Sequence, residues 1–176
     1  MGRSTSLLVL FLPFIFLLSV ETLGAAVVTP IIKSACDYSN VQSFCYYVLG
    51  NDPSGPYAKT KFNLEDIAVQ AAYSNYSNIH RKVWTITANE TNPEFKQIYR
   101  KCLHEYNLMK SKFEKLILTL GFQGNLDLAA NDVAYLVYNC MLYFNNPNIP
   151  NPIAQDNNDL LSFVDLIRSI FYAPLG

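Results

Sequence analysis

The sequence predicts an all-α protein, an up-and-down four-helix bundle that follows an N-terminal helical hairpin and contains two disulfides. Four stretches of the chain repeat apolar residues at intervals of three and four, the spacing that forms one face of a helix. The links between these stretches contain proline, glycine or asparagine, which end helices. The chain also has 4 cysteines, an even number that can pair completely.

The first residues have the pattern of a secretory signal peptide. Arg3 supplies a positive charge, an apolar run follows from Leu7 to Val20, and small residues from Gly24 to Ala26 provide a cleavage site. The apolar run is 14 residues long, whereas a membrane-spanning helix needs roughly 20. We therefore expect residues 1–25 to be a signal peptide.

The rest of the chain has the size of one domain, because about 150 residues can bury a core without further help. We expect residues 26–176 to form this domain, with the hairpin in residues 26–60 and the bundle in residues 61–176. The formal net charge of the chain is −1. This balance argues against nucleic-acid binding, which depends on clustered positive charge.

The segment from Ile31 to Tyr57 is rich in turn-forming residues and predicts a pair of short helices. Cys36 and Cys45 lie inside it, and the sequence Asp-Pro-Ser-Gly-Pro at residues 52–56 closes it. The segment is therefore the predicted hairpin.

The next two helices are predicted from their ends. Asn63 is the predicted N-cap of the first long helix, which should end near Ala88. The second begins at Asn92-Pro93. Proline is favoured in the first turn of a helix, because a backbone N–H at that position would have no partner within the helix. Gly121 ends this second helix after about seven turns.

The third long helix is predicted from about Leu126 to Phe144, beyond which asparagines and prolines prevent its continuation. The fourth should begin near Asn158 or Asp159. On this interpretation Asp156 and Asp159 are capping residues of the last helix. Short links make sequential helices antiparallel.

The cysteines are spaced for disulfides and not for a zinc site. Zinc ligands come in close pairs separated by about two to four residues, but the gaps here are 8, 56 and 37 residues. Of the three possible pairings, helix geometry favours one. At a rise of about 1.5 Å per residue, Cys102 lies about 27 Å from the end of its helix and Cys140 about 21 Å from the start of the next. The two are at similar heights, so we predict Cys36–Cys45 and Cys102–Cys140.

Side chains that could carry out catalysis are scarce. The sequence has 2 histidines, His80 and His104, each on a predicted polar helix face. Glu65 and Asp66 are explained as acids in a first helical turn. No nucleophile-elbow, zinc-protease, phosphate-loop or dinucleotide-binding motif occurs in the sequence. We therefore predict a binding protein with no enzymatic activity, no metal and no cofactor.

The third long helix is apolar on nearly every side between Val133 and Phe144, which is more than one packing face requires. A central helix surrounded by the other three would explain this pattern. An exposed aromatic patch that binds a partner would also explain it, because tyrosine is a good interface anchor. The sequence leaves both explanations open.

Two sequons could carry N-linked glycans in an exported protein. The first is Asn75-Tyr76-Ser77, where Asn75 falls within the apolar stripe of the first long helix. The second begins at Asn89, which lies at the end of that helix. Asn89 is therefore the better predicted acceptor.

These features resemble the plant invertase and pectin methylesterase inhibitor family. The likeness covers nearly all of the chain after the leader. It rests on Ile32 before Cys36, Phe44 beside Cys45, Leu49, the pair Cys102 and Cys140, Phe144, and the sequence Asn151-Pro152-Ile153. Within the family, the stretch from Phe44 to Gly55 is most similar to the branch of plane-pollen-allergen-like invertase inhibitors.

The resemblance implies a secreted, non-catalytic inhibitor of a carbohydrate-active enzyme of the plant cell wall. The implied partner is a pectin methylesterase or an acid invertase, whose active cleft is covered in a one-to-one, non-covalent complex. The implied location is the apoplast or cell wall, with the vacuole as an alternative.

Two stretches depart from the family pattern and hold the candidate partner-binding residues. One lies between the second and third bundle helices, where one type of invertase inhibitor has Pro-Lys-Phe. The other precedes the fourth cysteine, where family members usually have small and acidic residues. The candidates are Asn125, Leu126, Asp127, Leu128, Tyr135 and Tyr138.

Two other functions are consistent with the sequence. Its 12 tyrosines and 11 phenylalanines would suit a carrier of apolar small molecules, which needs a cavity of about 300 Å³ or more. A self-associating wall protein that pairs through its third long helix, without inhibitory activity, is the second alternative.

Overall fold

The computed structural model describes residues 27–122 and 125–175. Within these ranges the chain forms helices and no strand, so the predicted all-α fold class is confirmed. The predicted signal peptide lies outside the described residues. The helices are α1 (Pro30–Asp37), α2 (Gln42–Asn51), α3 (Lys61–Asn89), α4 (Pro93–Leu118), α5 (Asn125–Leu142) and α6 (Ala154–Tyr172), with a 3₁₀ turn at Gly55–Tyr57.

Helices α3 to α6 form the bundle. Each packs on the next in the chain, and α3 also packs on α6, which closes the arrangement. As a result α5 lies diagonally across the bundle from α3. One end of the bundle brings together the start of α3, the end of α4, the start of α5 and the end of α6; we call it the α4–α5 end.

The hairpin of α1 and α2 packs against α6 and α3. The rings of Phe44 and Phe163 meet edge to face with centroids 4.8 Å apart, and Cys36 is joined to Cys45 within the hairpin. Gly55 allows the 3₁₀ turn to approach α2, since a Cβ there would lie 2.1 Å from the backbone oxygen of Leu49. Only glycine fits this position without moving the backbone.

Helix α3 begins earlier than predicted, because Thr60 and not Asn63 is its N-cap. The Thr60 hydroxyl accepts a hydrogen bond from the Asn63 N–H at 3.2 Å. In return, the Asn63 side-chain oxygen accepts from the Thr60 N–H at 3.1 Å. This is a reciprocal capping box in which Asn63 is the third helical residue.

Helix α6 also begins earlier than predicted, at Ala154, and neither predicted acid caps it. Asp156 instead accepts a hydrogen bond from the Lys82 ammonium of α3 at 2.6 Å. Asp159 accepts one from the Gln155 side chain at 2.7 Å. The N-cap residue of α6 is Ile153, whose side chain makes no capping hydrogen bond.

A polar chain crosses the bundle core and links three helices. The Tyr76 hydroxyl of α3 donates to the backbone oxygen of Tyr106 in α4 at 2.9 Å. The Tyr106 hydroxyl donates to the side-chain oxygen of Asn157 in α6 at 2.6 Å. Burial raises the pKa of Tyr76 to about 12 and raises the pKa of Tyr106 further. Both phenols therefore remain donors at any physiological pH.

Candidate partner-binding surface

Helix α5 has a buried face and an exposed face of different composition. Its buried residues are Leu126, Ala129, Ala130, Val133, Leu136, Val137 and Cys140. Five exposed residues follow one another at intervals of three and four, which places them on one side of the helix. We call these residues the α5 stripe: Leu128, Asn131, Tyr135, Tyr138 and Leu142.

The α5 stripe decides between the two explanations for the apolar third helix. Its four large apolar side chains are exposed by 54% to 65%, so α5 is not enclosed by the other helices. The solvent-exposed face of a surface helix is normally polar. An apolar row on the outward face of α5 is therefore a candidate binding surface.

The candidate residues chosen from sequence are divided by the fold. Leu128, Tyr135 and Tyr138 lie on the α5 stripe, and Asn125 is exposed at the start of the helix. Leu126 was wrongly included, because its side chain is buried in the core at the first turn of α5. It is therefore not part of the α5 stripe.

Asp127, the sixth candidate, is tied to α6. Its carboxylate accepts a hydrogen bond from Nε of Arg168 at 2.8 Å. This bond raises the pKa of Arg168, and the pair fixes the start of α5 on the end of α6. Asp127 therefore serves in positioning the helix.

Sequence reasoning missed Asn131 and Leu142. Leu142 follows Tyr135 by seven residues, as Tyr135 follows Leu128. Asn131 precedes Tyr138 by the same interval. A heptad pattern of this kind keeps its members on one helix face. The signal was thus present in the sequence, but it overlapped the stronger pattern of the buried residues.

The α5 stripe is carried by a helix that is firmly attached to α4. A disulfide joins Cys102 to Cys140 with the two Cα atoms 4.5 Å apart. Near the middle of α5, the Asp132 carboxylate lies 3.2 Å from the Lys112 ammonium and 3.8 Å from that of Lys115. Covalent and ionic links therefore hold both halves of α5 in place.

A buried acid of α4 supports the C-terminal half of α5. Glu105 accepts hydrogen bonds from the Tyr143 hydroxyl at 2.8 Å and from the Asn139 amide at 3.4 Å. The pKa of the Tyr143 hydroxyl is raised, mainly by its hydrogen bond to Glu105. The Lys101 ammonium lies 5.7 Å from the centre of the same ring. These contacts fix the backbone that presents Tyr138 and Leu142.

The described part of the chain contains no cluster of side chains that could bind a metal ion. Its cysteines are all in disulfides, and no group of three His, Cys, Asp or Glu side chains in residues 27–122 and 125–175 could hold a metal ion. The His80 ring is hydrogen-bonded to Asn107 at 2.8 Å, and His104 is exposed on α4. In the same ranges, no helix is long and apolar enough to span a bilayer.

The two sequons differ in their surroundings. The side-chain oxygen of Asn75 is buried in α3 and has no hydrogen-bond partner among the described atoms. Asn89 is exposed at the last residue of the same helix. N-linked glycosylation at Asn89 stays a prediction with an accessible acceptor, and at Asn75 it would require the side chain to turn outward.

A disulfide-linked helical bundle with an exposed apolar stripe is an arrangement typical of a binding protein. The model of the family described as plant invertase/pectin methylesterase inhibitor matches residues 30–164. The chain therefore belongs to this family, whose members are inhibitors and not enzymes.

Solved structures that match the chain include a crystal structure of mutant form A of a pectin methylesterase inhibitor from Arabidopsis. Its TM-score is 0.70 at 15% sequence identity, over 84% of this chain and 100% of that one. At this identity the match supports the fold. In a comparison with curated proteins, no sequence matches this chain.

Proposed function

We propose that this chain inhibits a pectin methylesterase or an acid invertase by one-to-one, non-covalent binding that covers the active cleft of the enzyme. The α5 stripe is the proposed contact surface, and the apoplast or cell wall is the proposed location. One observation supports the choice of this surface: four large apolar side chains are exposed on one face of α5.

The composition of the α5 stripe suits a protein interface. Tyr135 and Tyr138 can each bury a ring against a partner and still hydrogen-bond through the hydroxyl. Leu128 and Leu142 extend the apolar surface toward the two ends of the helix. Tyrosine is enriched among the few residues that supply most of the binding energy in interfaces.

The attachment of α5 to α4 also favours inhibition. A surface that is already ordered loses little conformational freedom when it binds. The Cys102–Cys140 disulfide and the hydrogen bonds to Glu105 supply this order beneath the stripe. An inhibitor built in this way can occupy a cleft without offering a group that the enzyme can process.

The test is an inhibition titration of a pectin methylesterase and of an acid invertase with the purified chain. We expect a stoichiometric loss of activity of one of them. Tyr135→Ala and Tyr138→Ala should each weaken inhibition about tenfold or more, which corresponds to about 1.4 kcal/mol.

Trp84→Ala is the matched control. Trp84 is 60% exposed, but it lies on α3, diagonally across the bundle from α5. This variant should inhibit as well as the unaltered chain. Equal inhibition by all variants would rule out the α5 stripe as the contact surface, and no effect on either enzyme would contradict the function.

The carrier alternative requires an apolar cavity within the bundle. The larger cleft at the α4–α5 end contains the charged side chains of Lys61 and Glu65, so it is not an apolar cavity of this kind. The apolar pocket beside Tyr99, Phe144 and Ile153 holds only about 10 Å³, far below the roughly 300 Å³ of a small-molecule site. Self-association through the α5 stripe is the other alternative. Light scattering that gives a dimer, in a chain that inhibits neither enzyme, would favour it.

A further inference from the structure

A cleft of about 380 Å³ opens at the α4–α5 end of the bundle, away from the middle of the α5 stripe. Its volume falls within the range of small-molecule sites, about 300–1,000 Å³. Residues from α3, from the turn after α4, from α5 and from α6 line it. They are Lys61, Phe62, Glu65, Gly121, Phe122, Leu126, Phe171 and Tyr172.

Glu65 is the buried polar group of this cleft, with 6% of its surface exposed. Burial raises the pKa of its carboxyl group, against smaller opposing effects of the Lys61 charge and the Gly121 backbone N–H. No ion pair to this carboxylate forms among the described residues. A carboxyl group so placed gains from a ligand that donates hydrogen bonds to it.

Lys61 lies four residues before Glu65 but bonds elsewhere. Its ammonium donates to the backbone oxygen of Phe171 and, at 3.3 Å, to that of Ala173. It also lies 5.4 Å from the centre of the Phe171 ring. The positive charge is therefore fixed on one wall of the cleft, at the end of α6.

Aromatic side chains form the mouth of the cleft. Phe62, Phe122 and Tyr172 are all exposed, which leaves ring surface available to a ligand. Gly121 shapes this mouth, because it has a φ of 77° and a Cβ there would lie 3.1 Å from the Phe62 ring. Glycine adopts this left-handed conformation without strain.

We propose that this cleft binds a neutral sugar ring, as a monosaccharide or as one unit of an oligosaccharide. Glu65 and Lys61 carry opposite charges, so the attraction of either one for an ionic ligand is offset by repulsion from the other, and the cleft favours no net charge on its ligand. A neutral ring avoids both repulsions. Its hydroxyl groups can donate to the carboxylate of Glu65, while its C–H faces pack on the aromatic mouth.

The proposal is tested on the purified full chain with two probes that differ in charge and not in the ring. One is digalacturonic acid methylated on both carboxyl groups, which is neutral, and the other is the free acid. Binding is measured by titration calorimetry and by saturation-transfer NMR. We expect saturable binding of the neutral probe with a dissociation constant below about 10 mM. The dissociation constant of the free acid should be at least about tenfold higher.

Variants then locate the site. Phe122→Ala should weaken binding of the neutral probe about fivefold or more, because Phe122 is 67% exposed and lines the cleft. Leu118→Ala is the matched control, because Leu118 is 77% exposed but is not part of the lining. Glu65→Gln should reduce the preference for the neutral probe, since the charge that repels the free acid is gone.

Three results would overturn the proposal: no saturable binding of the neutral probe, equal binding of both probes to the unaltered chain, or equal losses in Phe122→Ala and Leu118→Ala. The proposal does not depend on enzyme inhibition. Tyr135→Ala, which tests the α5 stripe, should leave sugar binding unchanged.

Discussion

Asn157 is fully buried in α6, at a point where the polar chain of the core meets the second disulfide. Its side-chain oxygen accepts from Tyr106 at 2.6 Å, and its side-chain nitrogen lies 3.7 Å from the sulfur of Cys140. A buried amide costs free energy unless its groups are paired. These contacts explain how α6 tolerates an asparagine inside the core.

We predict that Tyr106→Phe lowers the free energy of unfolding by about 1–3 kcal/mol, because it leaves the Asn157 oxygen without its donor in the core. Urea unfolding followed by circular dichroism measures the loss. Tyr135→Phe is the control, since it removes a hydroxyl from an exposed ring. A change below about 0.5 kcal/mol for Tyr106→Phe would mean that water replaces the missing hydroxyl.

Glu65 should make stability depend on pH. Burial raises its pKa above the ordinary value of 4.5, so the folded protein holds this proton more tightly than the unfolded chain does. The stabilisation is complete below about pH 4.5 and is lost as the pH rises through the pKa of the folded state. The melting temperature of Glu65→Gln, which cannot titrate, should therefore rise relative to that of the unaltered chain from about pH 4 to about pH 7.

The matched control for this pH series is Glu114→Gln, which changes an exposed glutamate on α4. Its melting temperature should stay parallel to that of the unaltered chain. If Glu65→Gln also gave a constant difference across the series, the carboxyl group would not be linked to folding through its burial.

At the scale of the helices, existence and order could be predicted from sequence, whereas some ends could not. Apolar repeats fix the long helices because each must bury one face. The start of α3 depends on whether Thr60 or Asn63 adopts the extended cap conformation, and both residue types favour that position. Only the reciprocal bonds of the folded chain decide between them.

Helix α6 shows a second limit. Asn157 and Asn158 suggest a loop, because asparagine competes with helical backbone bonds. In the folded protein the Tyr106 hydroxyl donates a hydrogen bond to the side chain of Asn157. The helix can therefore begin at Ala154. A contact between residues 51 positions apart has no signal in local sequence.

At the scale of the whole molecule, the two disulfides should contribute unequally to stability. Cys36 and Cys45 are 9 positions apart, and Cys102 and Cys140 are 38 apart. The loop-entropy model assigns about 2.7 kcal/mol to the shorter closure and about 4 kcal/mol to the longer. We therefore expect the double variant Cys102→Ala/Cys140→Ala to lose more stability in urea unfolding than Cys36→Ala/Cys45→Ala.

This comparison is its own control, since each double variant removes two buried sulfurs. A larger loss on removal of the hairpin disulfide would indicate that docking of α1 and α2 on α6 contributes more than loop closure does. The ranking therefore distinguishes covalent restraint from packing.

The candidate sites were predicted to different degrees for a physical reason. Tyr135 and Tyr138 belong to one helix, so local periodicity places them on the same face, but only the packing of the bundle shows that this face is exposed. The cleft around Glu65 combines four segments of the chain. Lys61 and Phe171, 110 positions apart, meet there only because the bundle returns the end of α6 to the start of α3.

The Cys102–Cys140 disulfide spans the link between α4 and α5. A protease that cuts the backbone once between these cysteines would therefore produce two fragments that remain covalently attached. Such a nicked molecule would migrate as one species on a gel until a reducing agent separated it. In an extracellular setting, the surface of α5 could thus survive a cut that would release it from a chain without this crosslink.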